Sequence, residues 1–143
     1  MINIFKGQYE FLSNFYPYSF NYMGYYCKTS EHIYQALKTN EEAERLIVLN
    51  AKTPGNAKRL GQTLTIVDNW NEIRQDVMYD ILKAKFQGEL KQKLLDTGTK
   101  ELIEGNLHHD NYWGDCICHR CQYINGKNNL GKLLMKLRKE IGG

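Results

Sequence analysis

The sequence predicts an α+β fold, a mainly helical single domain of five to six helices with a small N-terminal antiparallel sheet. Three observations predict it. The first thirty residues consist of short aromatic segments separated by turn residues, which is typical of strands. After Ser30 the apolar residues recur at intervals of three and four, which indicates amphipathic helices. The 143 residues, 42% of them hydrophobic, contain no repeat and no linker-like stretch, so we expect one domain spanning residues 1–143.

The strands are predicted in the segments INIF, YEFLSNFY, YSFNY and YYCKT, which all precede Ser30. Met23 and Gly24 separate the last two segments, and a glycine in a two-residue connection favours a tight hairpin turn. Aromatic cross-strand pairs in this sheet are the simplest account of the many tyrosines near the N-terminus.

Six helical segments follow, and each has a recognisable start or stop signal. Ser30 is predicted to cap the first helix, SEHIYQALK, and Asn40 the second, EEAERLIVLNA. The remaining signals are Thr53–Pro54 and Gly61 around the third helix, Asn69–Glu72 and Gly88 around the fourth, Gly98 after the fifth, and Gly142–Gly143 after the last.

The first helix carries an acid, an amide and an amine on one face. A helix turns about 100° per residue, so Glu31, Gln35 and Lys38 fall on one side and the apolar residues on the other. The ordinary interpretation is a solvated face over a buried stripe. The alternative is the floor of a catalytic site, and the choice depends on what the rest of the chain contributes.

Charge and composition narrow the function classes. The formal net charge is +3, with lysine and arginine spread along the chain, which fits an anionic substrate at least as well as DNA. No apolar run approaches the 18 to 20 residues needed to span a bilayer, and the N-terminus lacks the apolar core of a signal peptide. We therefore expect a soluble cytoplasmic protein with reduced cysteines, no membrane association and no obligate protein partner.

An irregular stretch, EGNLHHDNYWGDCICHRCQYINGKNN, separates the last two helices, and a loop this long usually has a function. Trp113 lies among polar residues, where an indole can stack on a flat heterocycle. Asp110 and Asp115 have a simpler alternative role as turn caps, and Glu104 as a solvated residue. We expect this loop to form a second wall of the site.

The same loop contains Cys116, Cys118 and Cys121, whose spacing is compatible with a structural zinc site. The fourth ligand would be His119 or the distant Cys27. Two alternatives stay open at this point: a set of reduced thiols, and a Cys–His nucleophilic pair using one of the three nearby histidines. No glycine-rich nucleotide-binding fingerprint is present.

The chain contains an ordered series of motifs: EFLSNF, SEHIYQALK, AKRLG, the run from Trp70 to Met78, AKF, LLDTG with LIE, D-x-x-WGD, and G-x-N-x-LG with the following LM and Arg138. This series resembles the YbiA-like N-glycosidases of the NADAR superfamily, which is linked to NAD and ADP-ribose. The motifs extend from about Phe11 to Arg138. Each motif is weak alone, but their order is specific. The loop CICHRC departs from many relatives, in which this region is glycine-rich and lacks cysteine.

The resemblance implies hydrolysis of a ribosyl C1′–N bond, either in phosphoribosylamino-pyrimidine intermediates of riboflavin biosynthesis or in ADP-ribosylated guanine, with no cofactor required for catalysis. The site residues that it implies are Glu31, Lys38 and Asp110 as catalytic groups and Asn14, Glu104, Trp113 and Asn128 as substrate-binding groups. The partner would be a small ribosyl-N-heterocycle or an ADP-ribosylated nucleic-acid base.

Bond cleavage of this kind needs a carboxylate near the developing positive charge and a proton for the leaving base. A Schiff base on Lys38 is an alternative mechanism. Two other functions remain open: non-catalytic binding of ADP-ribose or a nucleotide, and a zinc-containing nucleic-acid-binding module.

Overall fold

The structure is a computed structural model that describes residues 1–142, and its chain divides into two compact units. The inner unit is Asn14–Lys85. The terminal unit combines Met1–Ser13 with the chain from Phe86 to the end of the described region. The predicted α+β, mainly helical fold is confirmed, with six α-helices among the described residues.

The inner unit contains one hairpin, four α-helices and a short 3-10 helix, Gly61–Thr63. The strands and α-helices are β1 (Phe20–Tyr22), β2 (Tyr25–Cys27), α1 (Ser30–Ala36), α2 (Glu42–Leu49), α3 (Pro54–Leu60) and α4 (Trp70–Lys85). The terminal unit contains a 3-10 helix (Gly7–Leu12), α5 (Gly88–Asp96), β3 (Gly105–Asn106), β4 (Asp115–Cys116) and α6 (Asn129–Gly142).

The predicted hairpin is confirmed. Strands β1 and β2 pair antiparallel, with Tyr22 opposite Tyr25. Met23 and Gly24 connect them with φ angles of 55° and 83°, so both turn residues adopt the left-handed conformation that two-residue hairpins favour.

The two earlier strand predictions are wrong. Residues 7–12 form a 3-10 helix instead of a strand, and Phe11 and Leu12, which are adjacent, are both buried. A strand would send adjacent side chains to opposite faces, whereas the helical turn lets Phe11 pack edge-on against Phe86. Of the INIF segment, Ile2 makes only a single parallel bridge, to Leu102.

Two predicted helix caps are corrected by one position. Thr29, not Ser30, caps α1, because its Oγ1 accepts a hydrogen bond of 3.2 Å from the His32 N–H. Glu41, not Asn40, precedes α2. The predicted start of α3 is confirmed, with Thr53 as the cap and Pro54 in the first turn.

Helix α1 is central to the inner unit and packs against α2, α3 and α4. All seven of its residues are buried, polar ones included. The helix ends at Ala36, so Lys38 lies in the turn that follows and not on the helix itself. The solvated polar face that is usual for a helix of this pattern is therefore absent here.

The terminal unit has an apolar core made by α5 and α6. It includes Leu90, Leu94, Leu130 and Leu134, all almost fully buried. Gly98 follows α5 with a φ of 65°, which confirms the predicted stop. Helix α6 is described to Gly142, and Gly143 in the predicted stop lies outside the described residues.

None of the helices in the described residues is both long enough and apolar enough to cross a bilayer.

Candidate active site

Glu31 and Gln35 form a buried acid–amide pair on α1. Only 7% of Glu31 and 4% of Gln35 is exposed to solvent. The Gln35 Nε2 donates a hydrogen bond of 3.0 Å to the Glu31 Oε1. A carboxylate so deeply buried needs such donors to offset its lost hydration. Gln35 therefore orients the Glu31 carboxylate.

The other end of the Gln35 amide is unusual. Its Oε1 is buried and has no hydrogen-bond partner within residues 1–142. Gly61, at the end of α3, lies against it, and a Cβ atom at Gly61 would overlap the Oε1 and stand 2.8 Å from the Gln35 Cδ. A glycine is thus needed at position 61 for Gln35 to keep this position.

Lys38 is half-buried and electrostatically linked to this pair. Desolvation lowers the pKa of Lys38, the nearby Glu31 carboxylate opposes this, and the positive charges of Lys58 and Arg74 lower the pKa further. The ammonium also lies 5.8 Å from the centre of the Tyr34 ring. A larger fraction of Lys38 is therefore neutral than for a solvated lysine at the same pH.

Asn14 joins the start of α1. Its backbone carbonyl accepts a hydrogen bond of 3.1 Å from the Glu31 N–H, and its Oδ1 accepts one of 2.9 Å from the Ser30 Oγ. Its Nδ2 has a longer contact of 3.7 Å with the Met78 Sδ. Asn14 thus positions the first turn of α1, and its predicted contact with ribose hydroxyls stays a prediction.

His32, also on α1, has a structural role. The Ala51 carbonyl can only accept, so the His32 Nε2 carries the proton of the neutral ring and donates it across 2.9 Å. The Nδ1 therefore accepts from the Thr29 hydroxyl, 2.8 Å away, while the Thr29 Oγ1 accepts from the His32 N–H. Burial lowers the pKa of His32, which keeps the ring neutral.

Two of the predicted residues of the terminal unit, Glu104 and Asp110, contact Asn106, a residue that the sequence analysis missed. Asn106 is buried, and its Nδ2 donates to the Glu104 Oε2 at 3.1 Å and to the Asp110 carbonyl at 2.9 Å. Its Oδ1 accepts from the Asp110 N–H at 3.2 Å. Gly114 fits closely here, because a Cβ atom would overlap the Glu104 carboxylate and stand 2.7 Å from the Asn106 Nδ2.

Asp110 has the turn-capping role that the sequence left open. Its Oδ1 accepts hydrogen bonds from the N–H groups of Tyr112 (3.1 Å) and Trp113 (2.9 Å). The Trp113 ring is half-buried and meets the Tyr112 ring edge-on, with centroids 4.9 Å apart. The carboxylate of Asp110 thus fixes the turn that presents the indole.

The Asn128 side chain forms hydrogen bonds with the backbone of the segment before β3. Its Oδ1 accepts from the Glu104 N–H and its Nδ2 donates to the Leu102 carbonyl, both at 2.9 Å. Its φ of 50° is strained for a non-glycine residue, although asparagine tolerates it better than most. Both ends of the amide are engaged, and the predicted role in binding ribose stays a prediction.

Sequence signals existed for only some of the missed residues. Gln35 was recognised on the polar face but not as the partner of Glu31, although the i, i+4 spacing indicates it. Asn106 had no signal of its own, since a loop asparagine is common.

The cysteine cluster has a different fourth member from either predicted one. His109, not His119 or Cys27, has its ring nitrogen beside the thiols of Cys116, Cys118 and Cys121. Cys27 belongs to strand β2 of the inner unit, where burial raises the pKa of its thiol to about 11.

A depression of about 410 Å³ also occurs in the inner unit, lined by Asn40, Glu41 and the segment from Thr65 to Asn69. None of the predicted site residues lines it.

Comparison with known proteins identifies the family. The model of the NADAR domain matches residues 4–142, nearly the whole chain. The chain belongs to the NADAR domain family. The resemblance seen in the sequence is thereby confirmed.

Several relatives of the family have names that state an activity. The chain is 35% identical to N-glycosidase YbiA of Escherichia coli over 147 aligned residues, which cover 99% of this chain and 88% of that protein. It is 37% identical to a riboflavin biosynthesis protein of Vibrio vulnificus, covering 92% of this chain and 35% of that protein. The NMR structure of E. coli YbiA superposes with a TM-score of 0.83 at 33% identity, covering 99% of this chain and 87% of that one. The sequence prediction of an N-glycosidase agrees with these names.

Proposed function

We propose that this NADAR domain is an N-glycosidase that hydrolyses a ribosyl C1′–N bond in a phosphorylated substrate, a phosphoribosylamino-pyrimidine. The observation that carries the proposal is the buried acid on α1 with a desolvated amine close to it. Soluble proteins rarely bury such groups without a function, because desolvating a charge is costly. The names of relatives favour the riboflavin-type substrate over ADP-ribosylated guanine, which is the second candidate.

Glu31 is suited to the main catalytic role. When the C1′–N bond breaks, its electron pair leaves with the nitrogen, and positive charge develops on C1′ and the ring oxygen. A carboxylate at this place stabilises that charge and accepts a proton from the attacking water. The water oxygen bonds to C1′, and the leaving nitrogen takes up a proton. The Gln35 amide orients the carboxylate through the hydrogen bond from its Nε2.

Lys38 offers a second route. Its neutral Nζ can bond to C1′ as the heterocyclic amine leaves with its electron pair and a proton, and water then releases the sugar and restores the lysine. Desolvation, which lowers the pKa of Lys38, favours this route, whereas the nearby Glu31 opposes it.

The positive charges around Lys38 support a phosphorylated substrate. Lys58 and Arg74 act electrostatically on the same amine, so the region beside Glu31 has an excess of positive charge. Such a region attracts a phosphate and raises the local concentration of an anionic substrate. We expect Lys58→Ala to raise KM for the phosphorylated substrate more than it lowers kcat.

The test is product analysis. The full chain is incubated with a phosphoribosylamino-pyrimidine and separately with an ADP-ribosylated guanine, and free base and sugar are followed by chromatography. Release from the first substrate is expected. Calorimetry on the same samples identifies a non-catalytic binder, because binding without release from either substrate would contradict the proposal.

Matched variants locate the chemistry. Glu31→Gln and Lys38→Ala should each lower kcat by about 100-fold or more, the usual scale for an acid–base or nucleophilic group. Glu41→Gln and Lys52→Ala change exposed residues of the same types and should retain normal rates. If Glu31→Gln and Lys38→Ala both retained full activity with a native circular dichroism spectrum, the assignment of the chemistry to Glu31 and Lys38 would be wrong.

The charge of Asp110 can be removed without removing the hydrogen bonds that hold its turn. Asp110→Asn retains an Oδ1 that accepts from the Tyr112 and Trp113 N–H groups but removes the charge. A large loss of kcat with this variant supports the predicted catalytic role. Normal kcat with Asp110→Asn, combined with loss in Asp110→Ala, would restrict the residue to holding the turn.

A further inference from the structure

Four potential metal ligands converge in the terminal unit, in the loop between β3 and α6. The Nδ1 of His109 and the Sγ atoms of Cys116, Cys118 and Cys121 all lie within 4.8 Å of one another. The chain brings them together through the β3–β4 pairing, which places Cys116 opposite Asn106, and through a 3-10 helix, His119–Cys121.

The spacing of these atoms matches tetrahedral zinc. With bonds of about 2.3 Å to sulfur and about 2.05 Å to nitrogen, a tetrahedral zinc ion separates its nitrogen and sulfur ligands by about 3.6 Å. The His109 Nδ1 lies 3.4 Å from the Sγ of Cys118, 3.4 Å from that of Cys121 and 3.8 Å from that of Cys116. One nitrogen is therefore at the ligand–ligand distance from all three sulfurs.

The surroundings of the cluster support a metal site. Asn111 donates through its Nδ2 to the Cys121 Sγ (3.6 Å) and accepts through its Oδ1 from the Cys116 N–H (2.9 Å). Such hydrogen bonds to ligand sulfurs are usual around zinc. His109 itself has a φ of 65°, a strained conformation that requires compensation from its surroundings.

Apolar packing holds little of this loop in place. Many of its large apolar side chains are exposed, namely Leu107, Ile117, Tyr123 and Ile124. Its regular structure is limited to two-residue strands and one 3-10 turn. Apolar burial therefore contributes little here, as in small domains that a metal stabilises.

We infer that His109, Cys116, Cys118 and Cys121 bind one structural zinc ion in a closed, tetrahedral Cys3His site. Four protein ligands leave no open position for a substrate or water, so the ion is structural and not catalytic. Three thiolates favour zinc over magnesium, calcium or manganese, which prefer oxygen.

The ion would stabilise the part of the loop that contains predicted site residues. His109 directly precedes Asp110, and Cys116 follows Trp113 by three positions. Two ligands thus bracket the Asp110 turn and the indole that it presents. Removing the ion should loosen this turn, and increase its hydrogen exchange, while leaving α1 of the inner unit native.

The first experiment measures zinc directly. The full chain is produced in zinc-supplemented medium, purified with a reductant and without chelators, and examined by elemental analysis. About one zinc ion per chain is expected. After chelation, one equivalent of Co²⁺ should give the visible bands and the thiolate-to-cobalt charge-transfer band of a tetrahedral sulfur-rich site. These readouts are independent of glycosidase activity, so they test the zinc site even if the proposed function fails.

Variants test the choice of ligands. Cys118→Ser and His109→Asn should lower zinc affinity by more than about tenfold and weaken the cobalt bands, as expected when a ligand is lost. His119→Asn is the matched control, since His119 is exposed, adjacent in sequence and outside the cluster.

Two results would overturn the inference. One is reduced wild-type protein with far less than one zinc per chain and no tetrahedral cobalt spectrum. The other is loss of metal in His119→Asn with normal binding in His109→Asn. The zinc content and cobalt spectrum of the wild-type protein test the site by themselves, so the test does not depend on whether a variant folds.

Discussion

Replacing Gly61 with alanine tests whether Gln35 orients Glu31. Gly61 ends α3 with a φ of −58° and a ψ of −21°, a conformation that alanine adopts easily. The backbone therefore does not require glycine. The added Cβ atom, however, would overlap the Gln35 Oε1 and stand 2.8 Å from the Gln35 Cδ, where ordinary contacts begin at 3.4 Å.

The magnitude follows from the bond that is broken. The Cδ must retreat by about 0.6 Å or more and the Oε1 further, which removes the 3.0 Å hydrogen bond from the Gln35 Nε2 to Glu31. A hydrogen bond to a charged group contributes about 1.5–3 kcal/mol. If the bond holds the carboxylate in its reactive position, kcat/KM should fall by about 10- to 150-fold.

The assay is steady-state hydrolysis of the phosphoribosylamino-pyrimidine, with thermal unfolding measured in parallel. Gly55→Ala, in the same helix, is the control. Its Cβ atom would meet only the Thr53 Oγ1, at 3.9 Å, so it should retain activity and gain about 0.5–1 kcal/mol in stability. Gln35→Ala should lose as much activity as Gly61→Ala.

The double variant completes the test. If both single changes act through the same hydrogen bond, Gly61→Ala combined with Gln35→Ala loses no more activity than Gln35→Ala alone. Additive losses, or a Gly61→Ala enzyme within twofold of the wild type, would refute the role of Gln35 in orienting Glu31.

Three further predictions concern titration and packing. Burial lowers the pKa of Lys85 to about 7, so the unfolded chain binds a proton that the folded chain lacks between about pH 7 and 10.5, and stability rises with pH in that window. Lys85→Met should therefore raise the free energy of unfolding, measured with urea, by up to about 4 kcal/mol at pH 7, and this gain should vanish near pH 10.5. An equal gain at both pH values would contradict the lowered pKa of Lys85. Desolvation lowers the pKa of Lys38, and the Glu31 carboxylate opposes this effect, so borohydride trapping of substrate on Lys38 should rise with pH with a midpoint below 10.5. Glu31→Gln should move that midpoint to lower pH, as measured by mass spectrometry of the labelled peptide. A shift to higher pH would contradict the electrostatic effect of Glu31 on Lys38. Gly114→Ala should lower the free energy of unfolding by about 1–3 kcal/mol, because its Cβ atom would overlap both the carboxylate and the backbone of Glu104. Thermal unfolding provides the measurement, and an unchanged melting temperature would show that the loop has more room than the structure indicates.

The strands show where local pattern was insufficient. YSFNY and YYCKT were predicted correctly because the turn residues between them dictate a hairpin over a short range. YEFLSNFY has equally strand-like composition, yet Gly7–Leu12 is a 3-10 helix that buries Phe11 against Phe86, more than seventy positions away in the sequence. No local signal specifies such a partner.

The helix α1 shows the same limit for the site. The spacing of Glu31 and Gln35 on one face was readable from the sequence, and so was the family to which they point. Whether that face meets water or protein depends on α2, α3 and α4, which cover the helix. The amphipathic pattern alone favoured water, and the structure buries both residues.

By itself the sequence determined the mainly helical α+β fold, the hairpin, the start of α3, the stop after α5 and the family. These follow from interactions among residues close along the chain: periodicity, caps and turns. Tertiary structure alone decided that the acid of α1 is buried, that Gly61 must be small, and that His109 instead of His119 completes the thiol cluster. The first two outcomes depend on distances between segments that are remote in sequence, which are set by how the elements pack. The third depends on how a single loop folds back on itself.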